Sequence, residues 1–281
     1  MKNLIYHIVD AFTSQPFGGN PAGVVLLDGN IFPEEELMIK IAAELRYSET
    51  AFVLRHSEKE YTVRYFTPKA EVDLCGHATI ATFALLHSMK LAYGPCLCHT
   101  KAGDLAIEAG EKVMMQMATP KIVKTIDDVD EIYCALGIKN YTPALPIHIV
   151  STGLPDFMIQ VADVATLNSL QPDMDAVSAI TKKHDAVSFH VFAFGDDGHT
   201  ANVRDFAPLY DIPEESATGT ANAALTHYLS VNGVIPKIGD FSFLQGEAMQ
   251  RPSVIMTRIA ENGTVYVGGN GYVLAKGEIF V

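Results

Sequence analysis

Val63-Arg64-Tyr65-Phe66-Thr67-Pro68 and Val203-Arg204-Asp205-Phe206-Ala207-Pro208 are two versions of one phrase, set 140 residues apart. The same offset pairs Phe52 with Phe192, and an offset of 141 sets His7-Ile8-Val9 against His148-Ile149-Val150. Both phrases then run through an acidic loop to a small-residue motif that opens an Ala-rich segment. The first motif is Gly76-His77-Ala78-Thr79; the second is Gly219-Thr220-Ala221-Asn222, after a loop three residues longer. A period this long does not describe a solenoid, whose repeats run to about 20–50 residues. It describes two copies of one α/β unit, hence two similar lobes.

Around these phrases, strand and helix patterns alternate. Ile5–Asp10 and Ala22–Leu27 read as strands, with Phe17-Gly18-Gly19-Asn20-Pro21 a turn by composition. Pro33 to Arg46 reads as a helix, with Pro33 in its first turn, Glu34 to Glu36 at its positive end, and Leu37, Ile41 and Leu45 at helical spacing. Ala51–Arg55 and Thr62–Phe66 read as strands, and Gly76–Leu86 as a buried helix. The expected lobes are residues 1–120 and 121–281, the last strand returning to the first lobe. Two like lobes are expected to meet about a pseudo-two-fold axis, with Gly76-His77 and Gly219-Thr220 at paired helix starts beside a ligand cleft. Helix N–H groups and the positive helix ends there suit a carboxylate or another anion.

Composition narrows the function. The chain has 281 residues, 48% hydrophobic and 19% charged, which rules out a disordered chain. Acidic residues number 33 against 20 Lys+Arg, for a net charge of −13. That balance argues against a nucleic-acid groove and against a polybasic membrane patch. No apolar run reaches the ~18 residues of a membrane helix. The amino-terminal stretch Met1–Asp10 reads as a first strand rather than a signal peptide. Four cysteines, Cys75, Cys96, Cys98 and Cys134, are too few and too irregular for a disulfide framework. A reduced, cytoplasmic enzyme or binding protein is expected.

Several residues invite a chemical reading, each beside a plainer one. Glu49 lies between the first helix and an apolar strand. It is either a partly desolvated acid/base or an exposed helix-end glutamate. His77 at a helix start is either a proton shuttle or a packing residue. Cys75 is either a thiol activated by the helix end or a small buried hydrophobe. The pair Glu214 and Glu215 suggests acid/base work or a Mg²⁺ site, or else charge complementarity with the next helix. Thr218 and Thr220 either bind ligand or cap that helix. Cys96-Leu97-Cys98-His99 reads as a strand whose residues cannot converge on a metal. Gly268-Gly269-Asn270-Gly271 lacks dinucleotide spacing, and no Walker Lys accompanies Gly219-Thr220. Neither metal nor cofactor is expected.

The ordered motifs resemble the phenazine-biosynthesis PhzF-like family, which shares the diaminopimelate epimerase fold. They are Val9-Asp10-Ala11-Phe12, Phe17-Gly18-Gly19-Asn20-Pro21-Ala22, Ser48-Glu49-Thr50-Ala51-Phe52-Val53, Phe66-Thr67-Pro68, Leu74-Cys75-Gly76-His77-Ala78-Thr79, Phe206-Ala207-Pro208, Ala217-Thr218-Gly219-Thr220-Ala221, Gln245-Gly246 and Arg251-Pro252-Ser253. The resemblance implies an α/β (α+β) fold of two pseudo-symmetric lobes, each a curved, mostly antiparallel sheet around a central helix. It implies a cofactor-independent isomerase, a homodimer, acting by proton transfer on a small anionic metabolite. The implied catalytic residues are Glu49, His77 and Glu215. Asn20, Cys75, Gly76, Thr218, Gly219 and Thr220 are the implied substrate-binding residues. Glu215 stands where the family has an aspartate, and Ser216 where Ala or Pro is usual. Related epimerases place a catalytic cysteine in each lobe; Cys75-Gly76 matches the first, but Thr218-Gly219 stands at the second. Two other functions stay open: a Cys75-dependent epimerase, racemase or dehydratase, and a binding protein without turnover.

Overall fold

The computed structural model describes residues 3–195 and 197–281. Met1 and Lys2, part of the stretch read as the first strand, lie outside the described residues. The chain separates into two compact units, Met1–Gln116 with Gly268–Val281, and Met117–Val267.

In unit 1, β1 (Asn3–Ala11) pairs antiparallel with β2 (Asn20–Leu26). Helix α1 (Glu35–Leu45) then carries the chain to β3 (Thr50–Arg55), which runs parallel to β2. The expected helix start at Pro33 is corrected: Glu34 is the N-cap, and Glu35 and Glu36 fill the first turn. Strand β4 (Glu60–Phe66) pairs antiparallel with β3, and the short β5 (Glu71–Val72) folds back on it. Helix α2 (Gly76–Ser88) follows. Then β6 (Gly94–Thr100) lies parallel to β4 and starts a meander with β7 (Gly103–Ala109) and β8 (Val113–Gln116).

Unit 2 repeats this plan. Strand β9 (Lys121–Ile126) and helix α3 (Asp130–Ala135) lead into β10 (Ile147–Ser151) and β11 (Pro155–Gln160). Two helices, α4 (Val164–Ser169) and α5 (Met174–Lys183), precede β12 (Ser188–Ala193), parallel to β11. Strand β13 (Ala201–Ala207) pairs antiparallel with β12, and the short β14 (Ile212–Glu215) folds back on it. Helix α6 (Gly219–Val231) follows; β15 (Gly239–Gln245) lies parallel to β13 and pairs with β16 (Ser253–Ile259). Strand β17 (Val265–Gly269) leads to β18 (Gly271–Phe280), which lies antiparallel to β1 and so belongs with unit 1.

Helices α2 and α6 are thirteen residues each and occupy matching places. Ten residues of α2 and nine of α6 are buried. A helix apolar on every side has no solvent face, so it belongs in a core. Ala78, Ala81, Ala84, Ala221, Ala223 and Ala224 let strands approach closely. The surface helix α5 differs: Asp173 caps it, accepting from the N–H groups of Asp175 and Ala176, and Lys182 and Lys183 close it.

The repeated phrase has a physical purpose. Arg64 makes two parallel bonds to Glu71, Nε–Oε1 at 2.7 Å and Nη2–Oε2 at 2.9 Å. Arg204 does the same to Glu214, both at 2.8 Å. Each pair ties the strand of the phrase to the acidic loop that leads into the central helix. Such fork-to-carboxylate contacts are strong and directional. The Arg64 guanidinium holds the Glu71 carboxyl below its usual range. Arg204 also donates from Nη1 to the carbonyls of Leu167 and Leu170, each at 3.0 Å, and is more buried than Arg64.

Removing one member of a buried pair strands the other, which costs about 3–5 kcal/mol. Arg204→Met is therefore expected to destabilise the protein by that order, and Arg64→Met by clearly less. Urea unfolding of both variants checks the ranking.

Candidate active site

Each unit gathers polar side chains at the start of its central helix. In unit 1, β3 begins just after Glu49, whose backbone carbonyl accepts from Gly23 N–H on β2. That clasp fixes the carboxylate between α1 and β3. Its side chain is 17% exposed, which favours the partly desolvated reading of Glu49 over the exposed one. Cys75 is the N-cap residue of α2, in extended conformation, and Gly76 and His77 open the helix. Buried Tyr65 braces this turn through Thr79 (Oη–Oγ1 2.6 Å), and the Thr79 hydroxyl donates to Cys75 O at 2.7 Å.

His77 is the hub. Its Nε2 lies 3.3 Å from Glu49 Oε2 and 3.3 Å from Ser48 Oγ. Its Nδ1 lies 3.4 Å from Cys75 Sγ. Burial lowers the His77 pKa, against the opposing pull of the Glu49 carboxylate. A neutral ring with an ionised Glu49 makes both contacts as one tautomer: Nε2–H donates to Glu49, and Nδ1 accepts from the Cys75 thiol. A methyl group added at Gly76 would meet only the Met115 terminal methyl, at 3.8 Å. Ordinary packing therefore does not demand glycine there, and the backbone keeps room beside it. Asn20 opens β2 opposite Ala11, buried.

Glu49, Cys75 and His77 each present one donor atom, all within 4.8 Å of one another. Such a mixed set could hold a metal ion, and its members are also accounted for by contacts with each other. Cys96 and Cys98 are buried on one face of β6, while His99 on the other face bridges Asp104 and Glu60 at 2.7 and 3.1 Å. Burial pushes the Cys98 thiol up to about 12, which keeps it a packing residue.

In unit 2 the two adjacent acids, for which acid/base work, a Mg²⁺ site and charge complementarity were all open readings, go separate ways. Strand alternation sends Glu214 and Glu215 to opposite faces. Glu214 is taken by Arg204. Glu215 instead accepts from Thr218 Oγ1 at 2.6 Å. They offer no joint magnesium site. Gln245, which sequence reasoning placed only within a motif, organises the loop. Its Oε1 accepts from Thr218 N–H at 3.0 Å and from Asn222 Nδ2 at 2.9 Å. Its Nε2 donates to Glu215 O at 2.8 Å. The next residue, Gly246, has φ +80°, and an added side chain would sit 2.6 Å from Ser216 O. Thr218 is the N-cap of α6, Gly219 and Thr220 form its first turn, and Thr220 O accepts from Thr152 at 2.9 Å. Ser48, Gln245 and Asn222 were the site residues not singled out, although all three stand inside quoted motifs.

Cys75 and Thr218 make no side-chain capping bond, whereas Asp163 and Asp173 cap α4 and α5. The first turns of α2 and α6 thus start without the side-chain acceptor that α4 and α5 have.

Comparison with known proteins agrees with these motifs. A family model described as phenazine biosynthesis-like protein matches residues 9–277. The uncharacterized isomerase YddE of Escherichia coli (strain K12) is 33% identical, over 99% of this chain and 98% of its own. The trans-2,3-dihydro-3-hydroxyanthranilate isomerase of Pseudomonas aeruginosa is 29% identical, over 98% of this chain and 99% of its own. A crystal structure of the Bacillus anthracis phenazine biosynthesis protein of the PhzF family superposes with a TM-score of 0.89 at 26% identity, covering 100% of both chains.

The His77 ring is expected to titrate below an ordinary histidine, and lower still in Glu49→Gln, because the carboxylate is what raises it. Ring ¹⁵N shifts followed against pH check both the direction and the change.

Proposed function

The chain belongs to the phenazine biosynthesis-like family and is an isomerase, and on that premise we propose that it moves a proton within a small carboxylate-bearing metabolite, with Glu49 as acid/base. The observation that supports this most is the contact of a partly buried Glu49 with a buried, neutral His77. A carboxylate in that setting keeps a lone pair for a carbon-bound proton, and the imidazole N–H orients it.

The chemistry is redox-neutral and calls on no cofactor. Glu49 takes a proton from an acidic carbon. The electron pair of the broken C–H bond joins the shifting double bond. The proton on Glu49, exchanged in part with solvent while it is held there, is returned to another carbon of the molecule, so composition is unchanged. Backbone donors at Gly76 suit the substrate's carboxylate, and the α6 start at Gly219 offers the same kind of donor within unit 2. In this reading Asn20, Cys75, Thr218 and Thr220 contact the substrate, and Glu215 assists the proton transfer. The Pseudomonas relative is named for trans-2,3-dihydro-3-hydroxyanthranilate, a small carboxylate. That compound is the first substrate to try.

A second reading rests on one contact, Cys75 Sγ at 3.4 Å from His77 Nδ1. An imidazole can draw the thiol proton and make Cys75 the base of an epimerase or racemase.

A panel of small acids, including that dihydroanthranilate, incubated in deuterated water separates the two. Glu49→Gln is expected to lower deuterium uptake by about 10²-fold or more, while Cys75→Ala keeps most of it. Loss of uptake in Cys75→Ala with Glu49→Gln still active would transfer the role to the thiol.

A further inference from the structure

Behind Glu215 lies a row of buried polar side chains that the reaction does not call upon. Asp156 on β11 stands opposite Ser188 on β12. His190 on β12 stands opposite Asp205 on β13, and Asp205 opposite Glu215 on β14. Cross-strand partners share a face of the sheet. Here it is the face of Met158, Phe192 and Val203, which packs on α6. Asp156, Ser188, His190 and Asp205 are each 2% exposed or less.

The distances fix how many protons the row holds. Ser188 Oγ lies 2.9 Å from Asp156 Oδ1 and 2.7 Å from Asp205 Oδ1. A hydroxyl owns one proton and can donate to one of them. At the other contact it must accept, and an ionised carboxylate has nothing to donate. One of the two acids therefore carries a proton. Asp205 Oδ1 also lies 2.9 Å from His190 Nδ1, whose N–H stabilises a charge there. Asp156 Oδ2, by contrast, makes no hydrogen bond to any described residue. The charge belongs on Asp205 and the proton on Asp156, since a buried charge without partners is the costlier choice. His190 Nε2 also makes no hydrogen bond to a described residue, which suits the bare nitrogen of a neutral ring.

We propose that Asp156 is a neutral carboxylic acid at the head of a one-way chain, Asp156 O–H to Ser188 O–H to Asp205, and that this chain is a positioning device for Glu215. The proposal rests on the reading that Glu215 serves the reaction. With Asp156 neutral, only Asp205 places a full negative charge behind Glu215, and Glu215 stays an acceptor for Thr218. Burial first, and the Asp205 carboxylate second, raise the Asp156 carboxyl well above its usual range; Glu215 adds to the effect. On this face β10 contributes His148, opposite Met158, and α6 contributes Ala224, Leu225, Tyr228 and Leu229, none of them a carboxylate or a cation. Arg204 and Glu214 alternate onto the opposite face. In unit 1 the place of Asp205 belongs to Tyr65, whose hydroxyl braces the first turn of α2.

Carboxyl ¹³C NMR on the whole protein tests this without a known substrate. In the wild type, Asp156 is expected to stay protonated through neutral pH. Asp156→Asn keeps a neutral donor toward Ser188, so the Glu215 titration midpoint should not move. Ser188→Ala cuts the chain and should shift that midpoint, and Ser188→Thr should restore it. An Asp156 that titrates as an ordinary carboxylate overturns the proposal. So does a fall in the Glu215 midpoint in Asp156→Asn, since that is what losing a nearby negative charge produces. An unmoved midpoint in Ser188→Ala also overturns it. If a variant does not fold, the wild-type titration of Asp156 still decides. Failure of the isomerase reading would show instead as absent deuterium uptake, with these titrations unchanged.

Discussion

A helix enclosed on every side can offer chemistry only at its ends, and that constraint organises both units. Along α2 and α6 the buried residues are mostly alanine, threonine and leucine, with one large aromatic in each, Phe83 and Tyr228. Function is left to the first turn and to the segment that delivers the chain into it. Each delivering segment is anchored by an arginine clamp, Arg64 on Glu71 and Arg204 on Glu214. Each helix begins without a side-chain cap, at Cys75 and at Thr218. The local stability forgone there is about 1 kcal/mol per helix, the usual value of a good cap.

On this common frame the two units carry different chemistry. Unit 1 sets a carboxylate, an imidazole and a thiol within mutual reach. Unit 2 sets a carboxylate against a hydroxyl and locks the loop with the Gln245 amide. The support beneath differs as well: a Tyr65–Thr79 hydroxyl pair under α2, and an acid row ending at Asp205 in unit 2. The first cluster can hold and release a proton beside a neutral histidine. The second has the character of a rigid acceptor.

Much of this was legible in the sequence because repetition amplifies weak signals. The Val-Arg-x-Phe-x-Pro phrase located β4 and β13, and the small-residue motifs after it located α2 and α6. Glu49, Cys75 and His77 could be named from their motifs. Their convergence could not, because it depends on the Gly23–Glu49 clasp and on the turn at Cys75. The Glu214–Glu215 pair stayed ambiguous for a simple reason: adjacent residues on a strand face opposite ways, and only the return of β14 onto β13 shows which one Arg204 takes. The Asp156–Ser188–Asp205 row was invisible, since its members lie on three strands and become neighbours only through register.

The central claim is that one carboxylate, Glu49, both removes and returns the proton. The most direct measurement follows a single hydrogen. Substrate deuterated at the carbon that loses its proton is converted in ordinary water, and the product is read by NMR. The account predicts that part of the deuterium reappears at the carbon that gains a proton, and that this transfer survives Cys75→Ala. Complete loss of the label to solvent, with every new C–H hydrogen drawn from water, would contradict it.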